Sequence, residues 1–289
     1  MGQVKIVTDT TCDLPQDIIQ QYDIRLVPVS ISLGDDTYKE MLELSAEKFY
    51  DYLATSPQRP TSTPPSRKDF SDVYTKLIPD AEEVLSIHIS KAWTPTADLA
   101  TNMARFVMGA AKKQGKNLEI TVVDSLNASI GLGMIVLEAA QQAQAGKNKA
   151  DIVTHITPII QNIKSVFMVD DISYLEKSGR IGKAVSTIGG FLKLKPILSI
   201  EGGETSVKGF PMGSENAYEK VIKVMGEAIP FNSSIKVGIA HAMGADKVAA
   251  IKPKIQGKYN CVEFYETYMG GAVGATLGPG TFGIEYYEA

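Results

Sequence analysis

Short apolar runs alternate with stretches of helical periodicity along almost the whole chain. Runs of strand length occupy residues 4–8, 26–33, 84–89 and 237–241. Elsewhere apolar side chains recur every three or four residues, as they do in residues 99–110. Strands interleaved with helices are the pattern of α/β proteins. The sequence therefore predicts an α/β fold.

The length of the chain predicts two domains. Its 289 residues exceed the usual range of about 100 to 200 residues per domain. The polar stretch 145–151 follows one apolar helical segment and precedes another, which is typical of a linker. We place the division loosely near residue 160. An N-terminal α/β domain, residues 1–160, would then carry the hydroxyl-rich loops described below, and residues 161–289 would form a C-terminal α/β domain.

Charge, cysteine and histidine content narrow the function classes. The formal net charge of −4 argues against the broad basic face that nucleic-acid binding requires. The N-terminus is too polar for a signal peptide, and no window approaches the roughly 20 apolar residues of a membrane span, so we expect a cytoplasmic protein without a transmembrane segment. Cys12 and Cys261 are too few for a disulfide framework. His88, His155 and His241 lack ligand spacing, so we predict no metal site and no cofactor, and the role of His241 stays open.

The first predicted strand runs into a polar segment at residues 9–13. Because α/β sheets place ligands beyond the carboxyl ends of their strands, Asp9 is a candidate for a pocket or cleft. Asp13 stands three residues before Gln16, which is the spacing of a capping box at the start of a helix. We therefore predict helix capping for Asp13. Asp9 is the possible site residue, although one carboxylate without a positioned partner does not make a catalyst.

A proline-rich segment at residues 60–65 presents hydroxyl groups on Thr61, Ser62 and Thr63 in succession. Its prolines disfavour a helix and restrict the backbone, so the hydroxyls are held in place for a ligand with acceptor atoms. The alternative is a rigid surface turn that leads to Ser66 as the N-cap of the next helix. Composition does not decide between these interpretations.

The residues after the strand at 84–89 are Trp93, Thr94, Pro95 and Thr96, and they precede a helix. Proline suits the first position of a helix, which predicts Thr94 as the N-cap. The free amides at that helix end favour an anion, and the hydroxyls of Thr94 and Thr96 add donors for a carboxylate. Capping and ligand binding both explain this spacing and are able to coexist.

Polar residues near strand ends leave an enzymatic alternative open. Asp9, Asp124 and Ser125 would be the reactive groups of a hydrolase or a phosphotransferase. The chain contains neither a GxSxG elbow nor a GxxxxGK[ST] phosphate-binding loop, and its sequence assigns no histidine base to Ser125. Gly131 and Gly133 form only a fragment of a dinucleotide-binding fingerprint, and they lie within an apolar helical stretch.

Eight short segments carry a family resemblance over nearly the whole chain. They are VTDTTCDL at residues 7–14, TSTP at 61–64, SKAWTPT at 90–96, DS at 124–125, YLEKSGRI at 174–181, LKPI at 194–197, HA at 241–242 and GPG at 278–280. In this order they resemble the DegV family, whose best understood members are the fatty acid-binding subunits of bacterial fatty acid kinase. Each segment is weak alone, and the ordered set is specific.

The resemblance implies two α/β domains of DegV type, with a lipid tunnel and an interdomain cleft. A single long-chain fatty acid would lie in the tunnel with its carboxylate at the cleft. The resemblance implies a binding subunit and no catalytic residues. A separate ATP-using kinase would phosphorylate the carboxylate for phospholipid synthesis.

Matched positions carry this expectation to individual residues. Thr61 and Ser62 match the Thr-Ser pair of the family, and Thr94 stands where a ligand-contacting serine is usual. The residues expected to bind the carboxylate are Thr61, Ser62, Thr94, Thr96 and Thr276. The residues expected at the pocket or cleft are Asp9, Thr63, Trp93 and Arg180, although Arg180 is equally well explained as a solvated surface charge.

The chain also departs from the family pattern. Trp93 to Thr96 replace a common Leu-Ser-Gly-Thr, Thr63 replaces a glutamine, and Thr276 stands where kinase-associated members often place a histidine. Pro95 removes an amide that would face the carboxylate. These differences keep a second hypothesis open, that of a lipid-binding sensor without kinase coupling.

Overall fold

The computed structural model describes residues 3–181, 195–211 and 216–289. Leu194, which belongs to one of the eight matched segments, lies outside the described residues. The strands are β1 (Lys5–Asp9), β2 (Arg25–Val27), β3 (Ser30–Leu33), β4 (Asp36–Lys39), β5 (Thr61–Thr63), β6 (Glu83–His88), β7 (Glu119–Asp124), β8 (Lys164–Met168), β9 (Ile197–Glu201), β10 (Glu204–Gly209), β11 (Ser234–His241), β12 (Asn260–Tyr268) and β13 (Phe282–Glu288). The helices are α1 (Gln16–Gln21), α2 (Ala46–Thr55), α3 (Arg67–Leu77), α4 (Thr96–Lys113), α5 (Ser129–Gln144), α6 (Lys149–Asn162), α7 (Ser173–Lys177), α8 (Ala217–Ala228), α9 (Ala245–Gln256) and α10 (Gly271–Leu277). This alternation confirms the predicted α/β fold.

Four strands form a parallel sheet in the order β2-β1-β6-β7. Its central strands are almost entirely buried because helices cover both faces. Phe70 of α3 and Val107 of α4 pack on the face that carries Val7. Helices α5 and α6 cover the opposite face. Strands β1 and β6 are paired neighbours, so their carboxyl ends, at Asp9 and His88, lie side by side.

Six strands form a mixed sheet in the order β10-β9-β8-β13-β11-β12. Only the β11–β12 pair of this sheet is parallel. Helices α8 and α9 cover one face through apolar residues such as Met225 and Ile251. Helix α5 contacts β11 and β13.

Helix α5 is packed between the two sheets, since it contacts β1 and β6 of one and β11 and β13 of the other. Thirteen of its residues are buried, which explains why it is apolar on every side. A Cβ atom on Gly133 would lie 2.4 Å from the backbone oxygen of Cys12. Gly131 and Gly133 therefore allow α5 to pack closely against its neighbours. This packing role agrees with the observation that the two glycines form only a fragment of a dinucleotide-binding fingerprint.

A third sheet is small and antiparallel, in the order β4-β3-β5. The run at residues 26–33, predicted as one strand, is divided between β2 and β3. Pro28 stands at the break because it has no amide hydrogen to donate to a sheet. In the β3–β5 pair Ser62 lies opposite Ile31. Helix α10 contacts both of these strands, so the Thr61–Thr63 hydroxyl segment lies beside it.

The first residues of α3 and α1 can be compared with the helix caps predicted from the sequence. Ser66 caps α3 in a capping box, as predicted. The capping prediction for Asp13 is wrong, because α1 has no side-chain cap. Asp13 is buried in a left-handed conformation with φ of 50°. Its carboxylate accepts hydrogen bonds from Ser129 Oγ at 2.5 Å and from the Gly270 amide at 2.8 Å, so long-range donors satisfy it.

The division into two domains near residue 160 stays a prediction. That residue lies inside α6, while the parallel sheet ends with β7 and the mixed sheet begins with β8. The largest apolar cluster joins residues of both halves, from Val4 to Tyr287.

Candidate functional site

A cavity lies beyond the carboxyl ends of β1 and β6. Strand β5 and helix α10 also contribute to its walls. It encloses about 450 Å³ of empty space, part of which is open to solvent. The residues that line it are Thr11, Val29, Ser62, Thr63, Pro64, Ile89, Trp93, Thr94, Thr96, Arg180, Ala272, Val273 and Thr276. The cavity lies where α/β sheets bind ligands, beyond the carboxyl ends of their strands.

The cavity has an apolar floor and a more polar rim. Val29, Ile89, Ala272 and Val273 are each at most 6% exposed. The more accessible lining residues are Ser62, Thr63, Pro64, Trp93, Thr94 and Arg180, and four of these six carry hydroxyl or cationic groups. Such a division suits a ligand with a long apolar part and a polar head.

The hydroxyl segment of β5 lies at the rim. Ser62 is half-buried, whereas Thr61 and Thr63 are exposed, as strand alternation requires. Ser62 and Thr63 line the cavity. Thr61 lines an adjoining cavity of about 690 Å³, which shares Ser62, Arg180 and Thr276 with the first.

Thr94 and Thr96 both line the cavity, and their hydroxyl oxygens lie 2.9 Å apart. The prediction that Thr94 caps the following helix is wrong. Helix α4 begins at Thr96 with Pro95 as its N-cap, and no side chain caps it. The Thr94 hydroxyl is paired with that of Thr96, so it is not engaged by the helix amides. Since the pair shares one hydrogen bond, one hydroxyl hydrogen remains available to a ligand.

The hydroxyls of Thr276 and Thr11 face the cavity as acceptors. Thr276 donates its hydrogen to the backbone oxygen of Ala272 at 3.1 Å, which is a bond within α10. The Thr11 hydroxyl donates to Asp9. Each hydroxyl has only one hydrogen, so lone pairs alone remain for a ligand in this arrangement.

Asp9 lies behind the cavity wall and does not line it. Its carboxylate accepts hydrogen bonds from the amides of Thr11 and Ile89, at 3.2 and 3.1 Å, and lies 2.9 Å from His88 Nδ1. Asp9 thereby positions two residues that line the cavity.

The hydrogen-bond chain continues inward from His88. The Ser86 hydroxyl lies 2.7 Å from His88 Nε2 and 2.8 Å from the Tyr74 hydroxyl. Asp9, His88, Ser86 and Tyr74 are all fully buried. Neither this hydrogen-bond chain nor the position of Thr11 was predicted from the sequence. Polar residues at alternate positions of the otherwise apolar strand β6 were the available signal.

Asp124 and Ser125, the other two residues of the enzymatic alternative, form hydrogen bonds within the turn that follows β7. Asp124 accepts a hydrogen bond from the Leu126 amide at 3.0 Å. Ser125 is fully buried and donates its hydroxyl hydrogen to the backbone oxygen of Asn127 at 3.1 Å. Such bonds stabilise the turn after a strand. They give Ser125 no base and leave its hydroxyl away from solvent.

Arg180 is half-buried and lines both cavities. Its Nη1 donates to the backbone oxygen of Ser178 at 3.2 Å, and burial lowers the pKa of its guanidinium. In the described ranges it forms no ion pair with a carboxylate. Arg180 thus places a cation beside the hydroxyl residues, on the same cavity as Thr276.

His241 lies away from this cavity. The Gly244 amide donates to its Nδ1 at 3.3 Å, and its ring packs 4.5 Å from that of Tyr268. Burial lowers the pKa of His241. The adjoining Ala242 binds the matched GPG segment, since it accepts a hydrogen bond from the Gly280 amide at 2.6 Å. These contacts join two matched segments next to the end of α10.

Comparison with known proteins identifies the family. A family model described as an uncharacterised protein of the DegV family matches residues 3–289. The chain belongs to the DegV family, which confirms the resemblance found in the sequence. A DegV domain-containing protein of Caldanaerobacter subterraneus subsp. tengcongensis is 30% identical over 288 residues, which cover 100% of both chains.

Solved structures share the fold over the full length. A DegV family protein from Thermus thermophilus, whose structure was reported for fatty acid binding, superposes with a TM-score of 0.89 at 28% identity and covers 99% of this chain and 100% of its own. DegV of Bacillus subtilis, a fatty acid binding protein, gives a TM-score of 0.89 at 26% identity with 100% of both chains covered.

None of the helices in the described ranges combines the length and apolar character that crossing a membrane requires. The same ranges hold no group of three or more His, Cys, Asp or Glu side chains arranged to bind a metal ion. The predicted cytoplasmic location and the individual ligand contacts stay predictions.

Proposed function

We propose that this protein binds a long-chain fatty acid in the cavity, with the acyl chain on the apolar floor and the carboxylate at the rim. The observation that supports this most is the arrangement of seven of the predicted residues, from Ser62 to Thr276, around one amphiphilic cavity. Related DegV proteins that superpose on the whole chain were reported to bind fatty acids.

The two parts of the ligand would contribute differently. Burial of ten methylene groups stabilises a complex by about 8 kcal/mol before the costs of association. A hydrogen bond to a charged group adds about 1.5 to 3 kcal/mol. The acyl chain therefore supplies most of the affinity, while Ser62, the Thr94–Thr96 pair and Arg180 orient the carboxylate. In this arrangement the Thr276 hydroxyl hydrogen stays on the backbone oxygen of Ala272, so Thr276 offers the carboxylate no donor.

The only tryptophan of the chain, Trp93, lines the cavity and provides a direct assay. A bromine-substituted stearate should quench its fluorescence in a saturable manner with one acid per chain, and unlabelled palmitate should reverse the quenching. Native mass spectrometry of protein purified from cells should show an acyl-chain adduct. Quenching that never saturates, together with protein that is always empty, would contradict the proposal.

We further propose that the bound acid is presented to a separate fatty acid kinase, which makes this chain a binding subunit. The position of the hydroxyls and Arg180 at an open rim supports access of a partner to the carboxylate. Loaded protein, ATP and the cognate kinase should yield an acyl phosphate. Tight fatty acid binding without any acyl phosphate would favour the alternative of a lipid sensor, in keeping with Pro95 and Thr276.

A further inference from the structure

The donors and acceptors of the cavity are unevenly distributed. The Thr11 hydroxyl already donates its hydrogen to the Asp9 carboxylate, and the Thr276 hydroxyl donates to the backbone oxygen of Ala272. The available donors are the Ser62 hydroxyl, one hydrogen of the Thr94–Thr96 pair and the Arg180 guanidinium, and Trp93, which also lines the cavity, has an indole N–H without a partner. The sequence placed Trp93 at the pocket or cleft but gave its N–H no role.

The indole nitrogen of Trp93 is buried without a partner. Trp93 is half-buried and lines the cavity, yet its Nε1 atom is shielded from solvent and meets no acceptor in the described part of the chain. Tryptophan has a donor and no acceptor on its side chain, so only an acceptor can satisfy it. A buried donor without a partner is unfavourable, and native proteins rarely retain one.

We infer that Trp93 Nε1–H donates a hydrogen bond to the carboxylate of the bound ligand and thereby selects an anionic, acceptor-only headgroup over a neutral one. The inference rests on the proposed fatty acid binding. It gives this chain a donor that leucine at the same position would lack. It also assigns Trp93 two separable roles, apolar packing by the ring and headgroup recognition by the N–H.

The test compares two ligands on two proteins. Palmitate and 1-hexadecanol have chains of the same length and differ in headgroup, while Trp93→Phe keeps an aromatic ring and removes the N–H. Calorimetry or displacement of a fluorescent fatty acid gives the four dissociation constants. Because a charge-assisted hydrogen bond is roughly twice as strong as a neutral one, Trp93→Phe should weaken palmitate about tenfold or more and 1-hexadecanol only severalfold.

Two controls separate the roles of the ring and the N–H. Trp93→Leu, which restores the common family residue, should weaken both ligands because packing area is also lost. Phe106→Ala, at an exposed position of α4, should change neither affinity. Thermal unfolding of each variant without ligand identifies any loss of folding, and the ratio of the two affinities is independent of the folded fraction.

The outcomes are distinct. A fall in the ratio of palmitate to 1-hexadecanol affinity supports the inference. An unchanged ratio, whether both affinities fall or neither does, overturns it and leaves Trp93 a packing residue, while fatty acid binding by the wild type stands. Wild-type protein that binds neither ligand overturns the proposed function and the inference together.

Discussion

Glu40 carries a buried carboxylate whose titration is expected to control stability near neutral pH. It is 2% exposed and accepts hydrogen bonds from the Thr10 hydroxyl at 2.6 Å and the Ala272 amide at 2.8 Å. Burial, with a smaller contribution from the negative charge of Asp9, raises the pKa of Glu40 to about 7 despite those two hydrogen bonds.

The sign and size of the effect follow from linkage. The folded-state pKa lies above the ordinary value of 4.5, so the folded protein binds more protons than the unfolded chain between these values. The stabilising contribution is complete below about pH 4.5 and is lost as the pH rises through about 7. The difference between the two pKa values corresponds to about 3 kcal/mol of unfolding free energy.

Glu40→Gln removes this titration and keeps the size of the side chain and an oxygen for the Ala272 amide. Burial also raises the pKa of Asp13 and of Glu285, so the wild type has further groups of the same sign. The informative quantity is therefore the difference between wild type and Glu40→Gln in how the unfolding free energy changes with pH. Glu47→Gln, at an exposed carboxylate of α2, is the matched control for loss of one negative charge.

Urea unfolding between about pH 5 and pH 8 measures that difference. The wild type should lose about 2.5 kcal/mol more unfolding free energy over this range than Glu40→Gln, whereas Glu47→Gln should follow the wild type. Parallel curves for wild type and Glu40→Gln would refute the assignment of a raised pKa to Glu40. A wild type that gains stability relative to Glu40→Gln as the pH rises would refute its sign.

Three further substitutions test local contacts. Ser66→Ala removes the capping box of α3 and should lower the unfolding free energy by about 1 kcal/mol, with unchanged palmitate affinity; equal stability in urea would contradict the cap. Gly133→Ala forces a methyl group against the Cys12 carbonyl and should cost about 1 to 3 kcal/mol, whereas Gly109→Ala, in open space on α4, should stabilise by up to about 1 kcal/mol. The reverse order of these two in thermal unfolding would contradict the packing of α5. Thr94→Ala should weaken palmitate about tenfold and change stability by less than about 0.5 kcal/mol, because that hydroxyl caps no helix; a loss of stability with unchanged affinity would restore the capping interpretation.

Periodicity predicted the class of fold because burial of the parallel sheet and its helices leaves a direct pattern in the sequence. The small antiparallel sheet was missed for a physical reason. Apolar residues continue across Pro28, so one run of strand length covers two strands that belong to different sheets. An apolar pattern reports burial and not the partner strand, and only the missing amide of Pro28 marked the break.

The candidate site was predictable where short motifs carry hydroxyls, as at Ser62 and Thr94. The hydrogen-bond chain from Asp9 through His88 was not predictable in this way. Asp9 and His88 are 79 positions apart and meet only because β1 and β6 pair. Sequence spacing could not show which hydroxyls already donate their hydrogens to a partner within the protein. That distinction separates Thr276, an acceptor in this arrangement, from the donors around it.

The two wrong capping predictions, for Asp13 and Thr94, share a cause. In both cases the spacing to the next helix is suitable, yet the side chain has a tertiary or neighbouring partner that the local pattern does not include. Asp13 binds the Gly270 amide, and Glu40 binds that of Ala272, so two buried carboxylates hold the start of α10. Because α10 carries Thr276 and part of the cavity floor, Asp13, which resembles an ordinary helix cap in the sequence, instead works with Glu40 to fix a helix that lines the ligand site.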